Sequence, residues 1–156
     1  MGLIILSGHK SGDNWLISGS MDKSVRLWHI SKEECILVFS HSDVVKCVSF
    51  HPEDNCYFVS GSLDGKLQFW HIPERKTIYK QTVSPRWKNG EIITSIEFAK
   101  NGEWILVGTY DGRCICFESD KLAFYTEMAV SEKPITGTTN TTFKGPFVKK
   151  NTSESH

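Results

Sequence analysis

A thirteen-residue phrase written twice constrains this chain more than any other feature. Ser18–Ile30 reads SGSMDKSVRLWHI, and Ser60–Ile72 reads SGSLDGKLQFWHI, 42 residues further on. A looser third copy, VGTYDGRCICF, runs from Val107 to Phe117 and starts 47 residues after Ser60. Self-similarity at a period of about 40–45 residues signals a unit that buries its apolar faces only by stacking on its neighbours. The fold therefore has to be a repeat architecture.

The second copy shows what the unit is. Val44–Phe50 alternates and is rich in β-branched residues, so it reads as a strand. His51–Asn55 is a turn cluster, and Cys56–Ser62 is a second strand. Leu63-Asp64-Gly65 reads as a tight hairpin, with Asp-Gly favouring a two-residue turn. Lys66–Ile72 and Thr77–Val83 supply the third and fourth strands. The first repeat aligns without a gap, with its fourth strand at Glu34–Phe39 and with His9 and Lys10 in a turn. The third has strands at Glu91–Phe98, Glu103–Thr109, Arg113–Glu118 and Leu122–Met128. Four antiparallel strands at this period make one propeller blade. The expected fold is all-β, a β-propeller fragment of three blades at about 2–39, 41–83 and 91–128, with the ring not closed. Residues 1–130 form the partial propeller. Residues 131–156, rich in Thr, Ser, Lys and Asn, read as a disordered or truncated tail. Rings of this kind need four to eight blades. The chain is therefore expected to be part of a longer polypeptide, a truncated isoform, or a piece that a partner completes.

The totals exclude several functions. There are 18 basic and 18 acidic residues, and a balance of this kind argues against a dedicated nucleic-acid surface. No apolar run is long enough to span a membrane. Met1-Gly2 invites a myristoylation reading, but Leu6 stands where that motif wants Ser or Thr. The five cysteines, Cys35, Cys47, Cys56, Cys114 and Cys116, lie in strand-like runs and read as buried free thiols. Cys114-x-Cys116 lacks the two-residue spacing and the second pair of a zinc site. No metal ligand set and no cofactor is expected. The sequons at Asn140 and Asn151 are discounted, since no signal peptide precedes them.

The repeated phrase resembles the WD-repeat family from about Gly2 to Met128. In that family a buried tetrad of His, Ser or Thr, Asp and Trp joins the strands of each blade. The resemblance assigns His41, Ser60, Asp64 and Trp70 to it in the second repeat, and Ser18, Asp22 and Trp28 in the first. The third repeat keeps Asp111 but has Val107 and Phe117 at the Ser and Trp positions, so that blade is expected to hold by apolar packing alone. Trp can only donate and ionised Asp can only accept, while His and Ser do both, so a relay can satisfy all four. The set is not read as catalytic. A nucleophilic Ser needs an exposed hydroxyl and an oxyanion hole, and Ser60 sits inside a strand.

The wording at SGSMDKSVRLWHISKEEC (18–35), VSFHPEDNCYFVSGSLDGKLQFWHIP (48–73) and VGTYDGRCICF (107–117) is similar to the rabphilin-type WD-repeat proteins that bind a Rab GTPase. That resemblance implies a non-catalytic scaffold for vesicle traffic. It implies protein partners, a Rab GTPase among them, and a cytoplasmic location peripheral to endosomal or Golgi membranes. The repeat by itself equally allows a substrate receptor in a ubiquitin ligase or a chromatin complex. In either case the contact surface is expected on the rim that carries the hairpin turns. Met21, Leu63 and Tyr110 precede each turn Asp, and Arg86, Trp87 and Lys88 stand in a loop inserted on the same rim. Trp and Arg are common interface anchors.

Overall fold

The computed structural model describes residues 3–8, 14–83 and 92–130. The candidates Arg86, Trp87 and Lys88, the turn residues His9 and Lys10, the first two residues and the segment 131–156 lie outside the described residues.

Among the described residues, twelve strands form three four-stranded antiparallel sheets. The first holds β1 (Leu3–Gly8), β2 (Trp15–Ser20), β3 (Ser24–His29) and β4 (Leu37–Ser40). The second holds β5 (Val45–Phe50), β6 (Tyr57–Ser62), β7 (Lys66–His71) and β8 (Lys76–Thr82). The third holds β9 (Ile93–Ala99), β10 (Trp104–Thr109), β11 (Arg113–Glu118) and β12 (Ala123–Ala129). Within each sheet the strands lie side by side in chain order, so every connection is a local hairpin. The three sheets form an unclosed ring, an all-β partial propeller.

The fourth strand of the first blade starts at Leu37, three residues later than the sequence suggested, so Cys35 precedes it. Cys56 likewise lies in the turn before β6. Both are half-buried, whereas Cys47 and Cys116 are buried inside strands. Burial pushes the thiols of Cys47 and Cys116 up to about 12.

Strand β5 packs against β1 and β2 on one side and β9 on the other. Two apolar cores therefore straddle the blade boundaries. Ile17, Val25, Leu27 and Phe39 of the first blade meet Val45, Val48, Phe58 and Trp70 of the second. Val59, Leu67 and Phe69 of the second meet Ile93, Phe98, Ile105 and Phe117 of the third. The close approach depends on glycine. A Cβ on Gly19 would sit 2.6 Å from Val45 Cγ1, and one on Gly61 would sit 2.8 Å from Cys47 Sγ and 3.0 Å from Ile93 Cγ2. The Ser-Gly pair of the repeated phrase thus seats the next blade's inner strand. Each inner strand also carries an irregularity at the same place, between Leu3 and Ile5, between Val45 and Cys47, and opposite Gly108 and Thr109. An extra residue there strengthens the local twist.

Candidate protein-interaction surface

The β2–β3, β6–β7 and β10–β11 hairpins share one end of the propeller with the starts of β5 and β9. Val45 at the start of β5 pairs with Ser62, and Ile93 at the start of β9 pairs with Thr109. This end is the rim on which the candidate contact residues were expected.

Each hairpin turn has three residues rather than two. Lys23, Gly65 and Gly112 donate their backbone N–H to the carbonyls of Ser20, Ser62 and Thr109. All three adopt positive φ, at 68°, 74° and 83°. The Asp-Gly step closes the three-residue hairpin that ends on a left-handed residue, not the two-residue form. Among the described residues, two further bonds frame the second and third turns, and one frames the first. Leu63 N donates to Val44 O at 2.8 Å and Tyr110 N to Ile92 O at 2.9 Å. His41, Val83 and Val130 N donate to the carbonyls of Lys23, Gly65 and Gly112 at 2.8, 2.8 and 3.0 Å.

The turn aspartates fasten the same loops from within. Asp22 Oδ1 accepts from Ser24 N at 3.0 Å and Ser24 Oγ at 2.5 Å, and its Oδ2 meets Arg26 at 2.9 Å. Asp64 accepts from the Ser62 hydroxyl and from Ser42 Oγ at 2.9 Å, with Lys66 Nζ at 3.4 Å. Asp111 accepts from Thr109 Oγ1 at 2.5 Å and meets Arg113 Nε at 3.0 Å. The Ser24 hydrogen bond holds the Asp22 carboxyl below the usual range. Burial acts to raise the Asp64 carboxyl, but the bonds from Ser62 and Ser42 outweigh it and hold that group low too. The third blade is thus not held by apolar packing alone. Its turn keeps a polar cluster, while Val107 and Phe117 are fully buried where Ser60 and Trp70 stand in the second blade. Ser20, Ser62 and Thr109 were missed as turn residues. Their signal is in the sequence, a Ser or Thr two residues before every turn Asp.

The four residues expected to form a relay divide into two groups. Trp70 Nε1 donates to Ser60 Oγ at 2.8 Å, and Trp28 Nε1 donates to Ser18 Oγ at 2.9 Å. Asp64 belongs to the turn cluster and makes no hydrogen bond to His41. Ser42 stands between them, its N–H reaching His41 Nδ1 at 2.9 Å and its hydroxyl reaching Asp64. His41 Nε2 is buried and makes no hydrogen bond. It faces the Ser60 backbone carbonyl without reaching bonding geometry. Burial pushes His41 down to about 4, with the Asp64 charge opposing the shift. The continuous relay is replaced by two groups, Trp70 with Ser60, and His41 linked through Ser42 to Asp64.

The arrangement has no nucleophile. Ser60 is fully buried, its hydroxyl accepts from Trp70, and no base bonds to it. Among the described residues no cluster of three or more His, Cys, Asp or Glu side chains could hold a metal ion. No helix among them is long and apolar enough to cross a membrane.

What the rim offers is side-chain surface. Met21, Leu63 and Tyr110 are 57%, 38% and 60% exposed. Side chains this large and apolar are held out by turns fastened on both sides, so they reach solvent at little further entropic cost on binding.

Comparison with known proteins agrees with the repeat count. The family model described as "WD domain, G-beta repeat" matches residues 6–29, 33–71 and 81–118. WD repeat-containing protein 44 of Xenopus laevis is 46% identical over 120 residues, covering 77% of this chain and 13% of that protein. An uncharacterized WD repeat-containing protein of Schizosaccharomyces pombe is 37% identical over 131 residues, covering 83% of this chain and 21% of that protein. The intraflagellar transport protein 122 homolog of Xenopus tropicalis is 36% identical over 95 residues, covering 61% and 7%. The chain thus spans about a fifth or less of the length of these relatives. Three sheets at blade spacing, Trp–Ser pairs inside two of them and the matched repeats together place this chain in the WD-repeat family.

Proposed function

We propose that the chain is a non-catalytic protein-interaction module whose rim of hairpin turns docks a partner. One observation carries this reading. Three turns with the same hydrogen-bond frame each leave an apolar or aromatic side chain exposed at the residue before the Asp. Met21, Leu63 and Tyr110 are the anchors, and Arg86, Trp87 and Lys88 are added as candidates from the sequence alone. The finer reading is a scaffold for vesicle traffic with a Rab-type GTPase among its partners, acting at endosomal or Golgi membranes. The rabphilin-like wording of residues 18–35, 48–73 and 107–117 supports it, as does similarity to a protein named for intraflagellar transport.

The test is a pulldown of GTP-loaded and GDP-loaded Rab proteins by the chain and by a Met21→Ser/Leu63→Ser/Tyr110→Ser variant. GTP-dependent capture by the parent chain is expected, with a loss of about tenfold or more in the variant and an unchanged far-UV spectrum. Capture that ignores the nucleotide removes the GTPase reading. Capture that survives the triple substitution removes the rim.

A further inference from the structure

A polar cavity of about 280 Å³ lies beside the middle blade, lined by Ser42, Lys66, Gln68, Lys80, Gln81 and Thr82. Ser42 comes from the link between β4 and β5. Lys66 and Gln68 stand on β7 opposite Thr82 and Lys80 on β8. The walls are rich in donors. Lys66, Lys80, Thr82 and Gln68 bring donors to it, while the Ser42 hydroxyl is already given to Asp64. Acceptors are largely engaged: Gln68 Oε1 already takes the Thr77 hydroxyl at 3.0 Å. Gln68 itself is only 3% exposed. Lys66 lies 3.4 Å from Asp64, and Lys80 makes no ion pair among the described residues. The charges of both lysines reach His41, so the two ammonium groups act on one region.

Two cations beside a polar hollow complement a group with several anionic oxygens. A nucleic-acid backbone would need a longer basic track, and the balanced charge of the chain provides none. We propose that this cavity is an oxyanion site that seats an acidic side chain, glutamate or phosphoserine, from an extended segment of a partner protein. The site is separate from the turn residues Met21, Leu63 and Tyr110 and does not depend on their role.

The test titrates the full ¹⁵N-labelled chain with three peptides of one sequence carrying phosphoserine, glutamate or serine at a single position, and with inorganic phosphate. Either anionic peptide is expected to shift the Gln68 side-chain amide and to bind at least about tenfold more tightly than the serine peptide. The stronger of the two identifies the source of the oxyanion. Lys80→Gln and, separately, Lys66→Met should each weaken binding about tenfold, whereas Lys32→Gln, at an exposed lysine outside the cavity, should leave it unchanged. Lys80 is exposed, so its replacement leaves the core intact. Equal binding of all three peptides, binding untouched by both lysine variants, or shifts confined to other blades would overturn the proposal. Binding of inorganic phosphate with no peptide binding would overturn it as well, in favour of a small-anion site.

Discussion

His41 shows how one side chain carries a pH dependence into the fold. Its ring is 7% exposed, and burial lowers its affinity for protons to about 4 from the usual 6.5. The unfolded chain therefore binds a proton between those values that the folded chain does not. Stability then falls as pH drops from about 6.5 to about 4 and levels off below, with a total loss on the order of 2–3 kcal/mol. Asp22 and Asp64 work the other way round. Their carboxyls are lowered below 3.8, so their contribution is present above that pH and is lost only as pH falls beneath it. The two windows do not overlap. Urea midpoints at pH 7, 5.5 and 4.5 should fall in the parent chain and stay flatter in His41→Asn; parallel curves would refute the assignment. A second prediction concerns the Trp70–Ser60 bond. Ser60→Ala leaves the buried indole N–H without an acceptor and should cost about 1–3 kcal/mol. Copying the third blade's pair, Ser60→Val with Trp70→Phe, removes both polar partners and should recover part of that loss in thermal melts. A double variant no more stable than Ser60→Ala would show that the bond is not what the pair contributes.

Among the elements, the glycine of the repeated phrase governs how closely blades approach. Gly19→Ala places a methyl group against Val45, which is fully buried, and should destabilise by about 1–3 kcal/mol. Val45→Ala opens the space, so the pair should be less costly than the sum of its parts, and chemical denaturation of all four variants measures that coupling. Additive losses would mean that the inner strand moves aside instead. The same level shows what the sequence could and could not reveal. Strands β5 to β7 were legible to within a residue because two copies of one phrase reinforced each other, and alternation fixed which residues face inward. The start of β4 was not, since Glu34-Cys35-Ile36 has the apolar character of a strand but lies before the pairing begins. The turn length was misread because Asp-Gly satisfies two hairpin geometries, and only the Lys23 match shows that one left-handed residue is needed. The division of the expected relay was hidden as well. Residue types state who is able to bond, whereas the interposition of Ser42 between His41 and Asp64 is a matter of distance. Arg86, Trp87 and Lys88 rest on sequence alone.

For the whole molecule, the two larger apolar cores lie between blades, while a small cluster of Ala99, Leu106 and Cys116 lies within the third. The middle blade shares both cores, and each flanking blade shares one. Stability in such a stack is approximately a sum of unit terms and nearest-neighbour interface terms. Damage should therefore spread unevenly. Phe117 is fully buried in the core between the second and third blades, and Phe117→Ala should cost about 3–5 kcal/mol. That loss falls first on β9–β12, then on the face of β5–β8 that packs against them. Strands β2 and β3 touch only the other core, so they feel the substitution through the second blade alone. Hydrogen exchange by mass spectrometry should show amides of β10 and β11 losing most protection, those of β6 and β7 losing less, and those of β2 and β3 least. The mirror substitution, Phe39→Ala on the first-blade side of the core between the first and second blades, should reverse the gradient. A uniform loss across all three sheets in both variants would mean that the blades unfold as one cooperative unit, and the nearest-neighbour description would then fail for this chain.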